Sequence, residues 1–122
     1  MEHALRTSFA AEGFEGMRSL VAELRPRLAE VLASDRFGPV LIPWQGWALS
    51  EGDFLLTRSV ELVVHGDDLA ASLDQPPPDW PDDVLEPVLG LLTRVAVRRH
   101  GQAALVRALS RPQRAPASVS AF

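Results

Sequence analysis

Between Ser50 and Leu73 the chain carries no proline, and its apolar residues recur at three- and four-residue steps. That run, SEGDFLLTRSVELVVHGDDLAASL, predicts one long helix opened by a Ser50-x-x-Asp53 capping box. At about 100° per residue, Phe54, Arg58, Glu61, His65, Asp68 and Ser72 fall on a single stripe. Leu55, Leu62 and Leu69 flank it on one side, and Leu56, Val60 and Val64 on the other. Apolar neighbours on both sides point such a stripe inward, into a groove or a bundle interior. Glu61 and His65 stand one turn apart and can reach the same point in space. A carboxylate and an imidazole converging in an apolar setting is how a helical bundle builds a metal site. The plainer alternative is an intrahelical ion-pair ladder through Arg58, Glu61 and His65, worth roughly 0.2–0.5 kcal/mol per pair.

The remaining segments supply further helices. Residues 2–34 read as helix, with Leu5, Phe9, Met17, Leu20, Leu24, Leu28 and Val31 on one face. Gly13 and Gly16 weaken it locally, and Pro26 predicts a kink or a restart near residue 25. Residues 35–49 change character. Val40-Leu41-Ile42 has β character, and Gln45-Gly46 reads as a tight turn between Trp44 and Trp47, giving a short hairpin with the tryptophans plugging a bundle end. DQPPPDWPDD is a rigid connector. Residues 82–100 form the next helix, capped by Asp82 or Asp83 and closed by Arg98, Arg99 and His100 ahead of Gly101. A short helix follows at 102–110, and Val119 and Phe122 suggest a terminal strand against 40–42. The fold class is therefore mainly α, a helical bundle with a minor β element in a single domain over residues 1–122.

Composition narrows the functional classes. A net charge of −4 argues against nucleic acid or an anionic membrane as the partner. No apolar run approaches the ~20 residues of a membrane span, and the N-terminal residues lack the order of a signal peptide, so a cytoplasmic protein is expected. The basic side chains are all arginine, as a GC-rich genome would produce. Cysteine is absent, so any thiol chemistry must come from a small molecule. His3 reads as an exposed terminal residue and His100 as a helix-end cation, and neither histidine lies in a serine–histidine–acid context.

The run TRSVELVVHGDDLAASL resembles the metal-binding helix of the mycothiol-dependent maleylpyruvate isomerase family, within the wider DinB-like superfamily of helical bundles. The matching pattern is an arginine, then E-x-x-x-H, then D-L-A: Arg58, Glu61, His65, Asp68, Leu69 and Ala70. The upstream VLIPWQGWALSEGDFLLTR and the downstream VLGLLTRVAVRRHGQAALVRALSR look like the segments that border that helix in the family. The resemblance implies a partial DinB-like bundle in which Glu61 and His65 are metal ligands, Asp68 orients the imidazole, and Arg58 meets a thiol cofactor or an anionic substrate. It implies zinc and mycothiol as cofactors and a small-molecule substrate or thiol as partner. In the family, a histidine from an earlier helical pair is the third ligand, and no residue here maps onto it. The chain is thus expected to correspond to the C-terminal portion of such a protein, completed by a homodimer mate or a partner that supplies the missing helices. A zinc held by two histidines and a glutamate keeps one open position, where an incoming thiol ionises readily. The thiolate then adds to a conjugated double bond, allows rotation and leaves, which is the family's cis–trans isomerisation. The competing expectation is a non-catalytic, truncated helical module that serves interaction.

Overall fold

The computed structural model describes residues 13–34 and 38–122, and it is mainly α with one small antiparallel hairpin. The elements run α1 (Gly13–Leu32), β1 (Val40–Ile42), β2 (Trp47–Leu49), α2 (Glu51–Ser72), α3 (Asp82–His100), α4 (Gln102–Ser110) and a 3-10 turn at Pro112–Arg114. The described residues fall into two compact units that divide at the first residue of α2, between Glu51 and Gly52.

In the first unit, α1 continues through Pro26 rather than restarting at residue 25. The proline has helical neighbours on both sides, so the lost backbone donor costs stability without ending the element. Residues 1–12, including His3 and the first turns of the expected helix, lie outside the described residues. The hairpin follows the sequence expectation: Val40 pairs with Leu49, Leu41 with Ala48 and Ile42 with Trp47. Its turn closes on the Ile42 carbonyl, which accepts from Gln45 N and Gly46 N, each at 3.0 Å. Trp44 is 78% and Trp47 47% exposed, and the three-residue strands of their own hairpin do not cover them.

The second unit is built from α2, α3 and α4. Helix α2 ends in a Schellman motif: Gln75 N donates to Ala70 O at 2.9 Å and Asp74 N to Ala71 O at 3.3 Å. Asp74 takes the left-handed position with φ +52°, a place where aspartate is tolerated because its short polar side chain can bond locally. The proline-rich connector then runs beside α2. Trp80 packs so closely on Gly66 that a Cβ there would stand 3.0 Å from the indole Cζ2. Helix α3 begins after Pro81, with no side-chain cap from either aspartate. Asp82 and Asp83 lie inside the first turn instead, where their charge meets the positive end of the helix dipole. Arg98, Arg99 and His100 fill the last turn. Gly101, at φ +86°, donates its N–H to Val97 O at 2.8 Å and starts α4 without a spacer. A side chain at that φ would be strained, so glycine makes the reversal possible.

Among the described residues the buried apolar set is small: Ala70, Val88, Ala96 and Leu105, all in this unit. Val64, Leu92, Ala96 and Leu105 border a hollow of about 280 Å³, which Val119 and Phe122 close from the other side. The C-terminal residues are therefore not a strand on 40–42. They lie back on α3, where His100 Nε2 donates to Ser120 O at 2.8 Å and Arg99 Nη1 to Ala121 O at 3.5 Å.

Gly66 and Gly52 separate helix propensity from packing. Propensity alone favours alanine at both by about 0.8–1 kcal/mol. Nothing lies within 4 Å of a Cβ at Gly52, so Gly52→Ala should raise stability by up to about 1 kcal/mol. Gly66→Ala should lower it by about 1–2 kcal/mol, because the indole must move. Urea denaturation of the two variants checks the opposite signs.

Candidate functional site

The site lies wholly on α2 and rests on helical spacing. Glu61 and His65 are four apart, so their side chains rise from successive turns of the same face. His65 Nε2 is 3.1 Å from Glu61 Oε2. On the other side of the ring, Nδ1 is 3.1 Å from Asp68 Oδ2. Both imidazole nitrogens thus face carboxylates, and the protonated ring donates one hydrogen bond to each. The histidine pKa is raised above its ordinary 6.5, first by the Asp68 hydrogen bond, then by the charge of Glu61 and of Asp68 and by the Glu61 hydrogen bond; desolvation opposes these.

Arg58 is placed differently from a ladder member. Its guanidinium carbon lies 5.7 Å from the centre of the Phe54 ring, a cation–π arrangement one turn back. Its Nε donates to Thr57 Oγ1 at 3.4 Å. Among the described residues Glu61 is bridged to His65 and not to Arg58, so the ion-pair ladder is confined to the Glu61–His65–Asp68 segment.

The expected burial of this stripe is corrected. The Glu61 side chain is 53% and the His65 side chain 69% exposed. The cause lies in the two flanks. Leu56, Val60 and Val64 are half-buried on one side of the stripe, whereas Leu62 and Leu69 stay exposed on the other. The charged stripe therefore runs along the border of the packed face and not through its middle. Leu55, expected with the exposed flank, is half-buried.

Sequence reasoning missed the neighbour at this border. Phe122 shares with Val60, Glu61, Val64 and His65 a hollow of about 220 Å³. No spacing rule reaches a contact between residues so far apart in the chain. The only sequence signal was the apolar character of Val119 and Phe122 within a polar tail.

The donor atoms suit a divalent metal in part. Two ligands about 2.0–2.1 Å from a tetrahedral zinc stand roughly 3.3 Å apart, close to the 3.1 Å between His65 Nε2 and Glu61 Oε2. Asp68 on Nδ1 is the kind of outer carboxylate that fixes the tautomer of a ligating histidine. Among the described residues, no group of three or more histidine or acidic side chains is arranged to hold a metal ion, because Asp68 lies on the far side of the ring. Comparisons with protein-family models, curated proteins and solved structures return no match to this chain.

The proton on His65 gives a direct measurement. A raised folded-state pKa stabilises the fold most fully below the unfolded value of 6.5 and loses that contribution as pH rises through the folded value. Nuclear magnetic resonance titration of the His65 ring should place its midpoint above 6.5. Asp68→Asn should lower that midpoint more than Glu61→Gln does, since the Asp68 hydrogen bond is the largest contribution. Equal effects would mean that the two carboxylates share the ring evenly.

Proposed function

We propose that the chain is a metal-binding, mycothiol-dependent isomerase- or transferase-like protein of the maleylpyruvate isomerase type, whose metal site is completed by a partner chain or by further helices. The observation that supports this reading is the 3.1 Å approach of His65 Nε2 to Glu61 Oε2, with Asp68 on the opposite ring nitrogen. In this proposal Glu61 and His65 hold zinc, and Asp68 keeps the Nδ1 proton so that Nε2 points its lone pair at the metal. Arg58, stacked on Phe54, offers its guanidinium to an anionic thiol cofactor or substrate. Bound zinc would lower the pKa of an incoming thiol and so supply a thiolate that the cysteine-free chain cannot provide itself.

A second reading is favoured by the exposure of the stripe. A charged, solvent-facing ladder on a helix with Leu62, Leu69 and Leu73 open beside it suits a non-catalytic interaction module. In both readings the open flank is covered by a homodimer mate or another partner, as exposed apolar patches usually are. No helix among the described residues is long and apolar enough to cross a membrane. The proposal itself takes a small-molecule ligand and a cytoplasmic location.

Zinc loading separates the two. The proton that bridges Nε2 and Oε2 must leave before the metal enters, so affinity should rise steeply as pH passes the His65 pKa. Metal content by mass spectrometry should show weak zinc on the isolated chain, lost in His65→Ala and in Glu61→Ala. It should show tighter zinc in whatever assembly supplies a third ligand. Absence of zinc in every assembly, with the stability of His65→Ala unchanged, would favour the interaction module.

A further inference from the structure

His100 makes a bond that the end of a helix does not require. Its place in the last turn of α3 already suits its charge. Yet its Nε2 is committed to a group far along the chain, the carbonyl of Ser120, at 2.8 Å. A carbonyl only accepts, so Nε2 carries a proton and donates it. The neighbouring bond, from Arg99 Nη1 to Ala121 O, is 3.5 Å long, beyond the usual range for such a bond. His100 is therefore the stronger anchor of the two.

No helix or strand holds residues 118–122. Ser120 braces them instead. Its carbonyl accepts from His100, its N–H donates to Ser118 Oγ at 3.2 Å, and its Oγ accepts from Phe122 N at 3.4 Å. Val119 and Ala121 are half-buried, whereas Ser118, Ser120 and Phe122 are exposed. That alternation is what an extended segment shows when one of its faces lies on a surface. The surface is the hollow bordered by Val64, Leu92, Ala96 and Leu105.

Phe122 is poorly fixed by its own packing. It is 70% exposed, so little of its ring is withdrawn from water. It nevertheless borders two hollows, the one closed by Val119 and the one that holds Val60, Glu61, Val64 and His65. All of these residues lie in one compact unit. The bonds that set its place are those of Ser120, and the bond that sets Ser120 comes from His100.

We infer that His100 is a positioning residue for the Glu61–His65 pair: through Ser120 it holds Phe122 as the aromatic wall of the hollow in which the pair stands. Val60 and Val64 form the aliphatic wall, and Glu61 and His65 the polar one. A small molecule drawn to the pair thus meets apolar surface beside the donor atoms, as ligand sites usually provide. That consequence rests on the ligand-binding reading proposed above; the holding of Phe122 does not.

Nuclear magnetic resonance of the full, metal-free chain tests the inference, so loss of the zinc reading would leave the result decisive. An aromatic ring shifts the signals of protons near it. The His65 ring signals, compared at both limits of a pH titration, therefore report whether Phe122 is in place. Phe122→Ala defines their position without the wall. His100→Leu, which cannot donate, and Ser120→Ala, which removes the brace and leaves the helix untouched, should both move the signals towards that position. His100→Gln keeps a donor and should hold them near the wild-type position. His100→Leu combined with Phe122→Ala should match Phe122→Ala alone. Helical circular dichroism should be unchanged throughout. The inference is overturned if Phe122→Ala leaves the His65 signals where they were. It is equally overturned if His100→Leu leaves them at the wild-type position, or moves them as far when Phe122 is already alanine.

Discussion

The unit formed by α2, α3 and α4 depends on burial that is in short supply. Val88, Ala96 and Leu105 lose nearly all contact with water, and they can do so because Gly101 turns the chain from α3 straight into α4. Two of the four buried residues are alanines, which remove little apolar surface from water. With so thin a core, the remaining apolar residues of α2 and α3 divide between half-buried and open positions. The C-terminal residues are recruited as extra cover, pinned by the carbonyl bonds from Arg99 and His100.

The same scarcity explains the setting of the candidate site. One flank of α2 is half-buried at Leu56, Val60 and Val64 and the other only at Leu55, so the Glu61–His65–Asp68 row stands at the border and remains wet. Water keeps the charged forms cheap, which suits an imidazolium between two carboxylates better than an empty metal pocket. In the proposed metal reading, zinc would compete with the proton for His65 Nε2 and Glu61 Oε2.

Open apolar surface is also the theme of α1. Phe14, Met17, Val21, Leu24, Leu28 and Val31 of α1 and the leucines of α2 are apolar stripes with different surroundings: arginines beside the first, glutamate and aspartate beside the second. Charge at the margin of an apolar stripe sets which partner and which orientation are tolerated more than how tightly it binds.

The sequence by itself determined whatever depends on neighbours a few residues apart. Periodicity and breakers located the helices that begin near residues 51, 82 and 102 and the hairpin around Gln45-Gly46, because backbone hydrogen bonding is local. The adjacency of Glu61 and His65 follows from one helical turn in the same way. The capping aspartates failed at this scale, since the prolines ahead of α3 set its first residue and moved Asp82 inside the helix. Tertiary structure alone decided which way the charged stripe faces, where Trp80 settles against Gly66, and that Phe122 comes to rest beside His65 and not on β1. Each of those outcomes turns on which apolar surfaces meet between residues distant in the chain. A spacing rule ranks faces of one helix; it does not say which of two apolar flanks will find a partner.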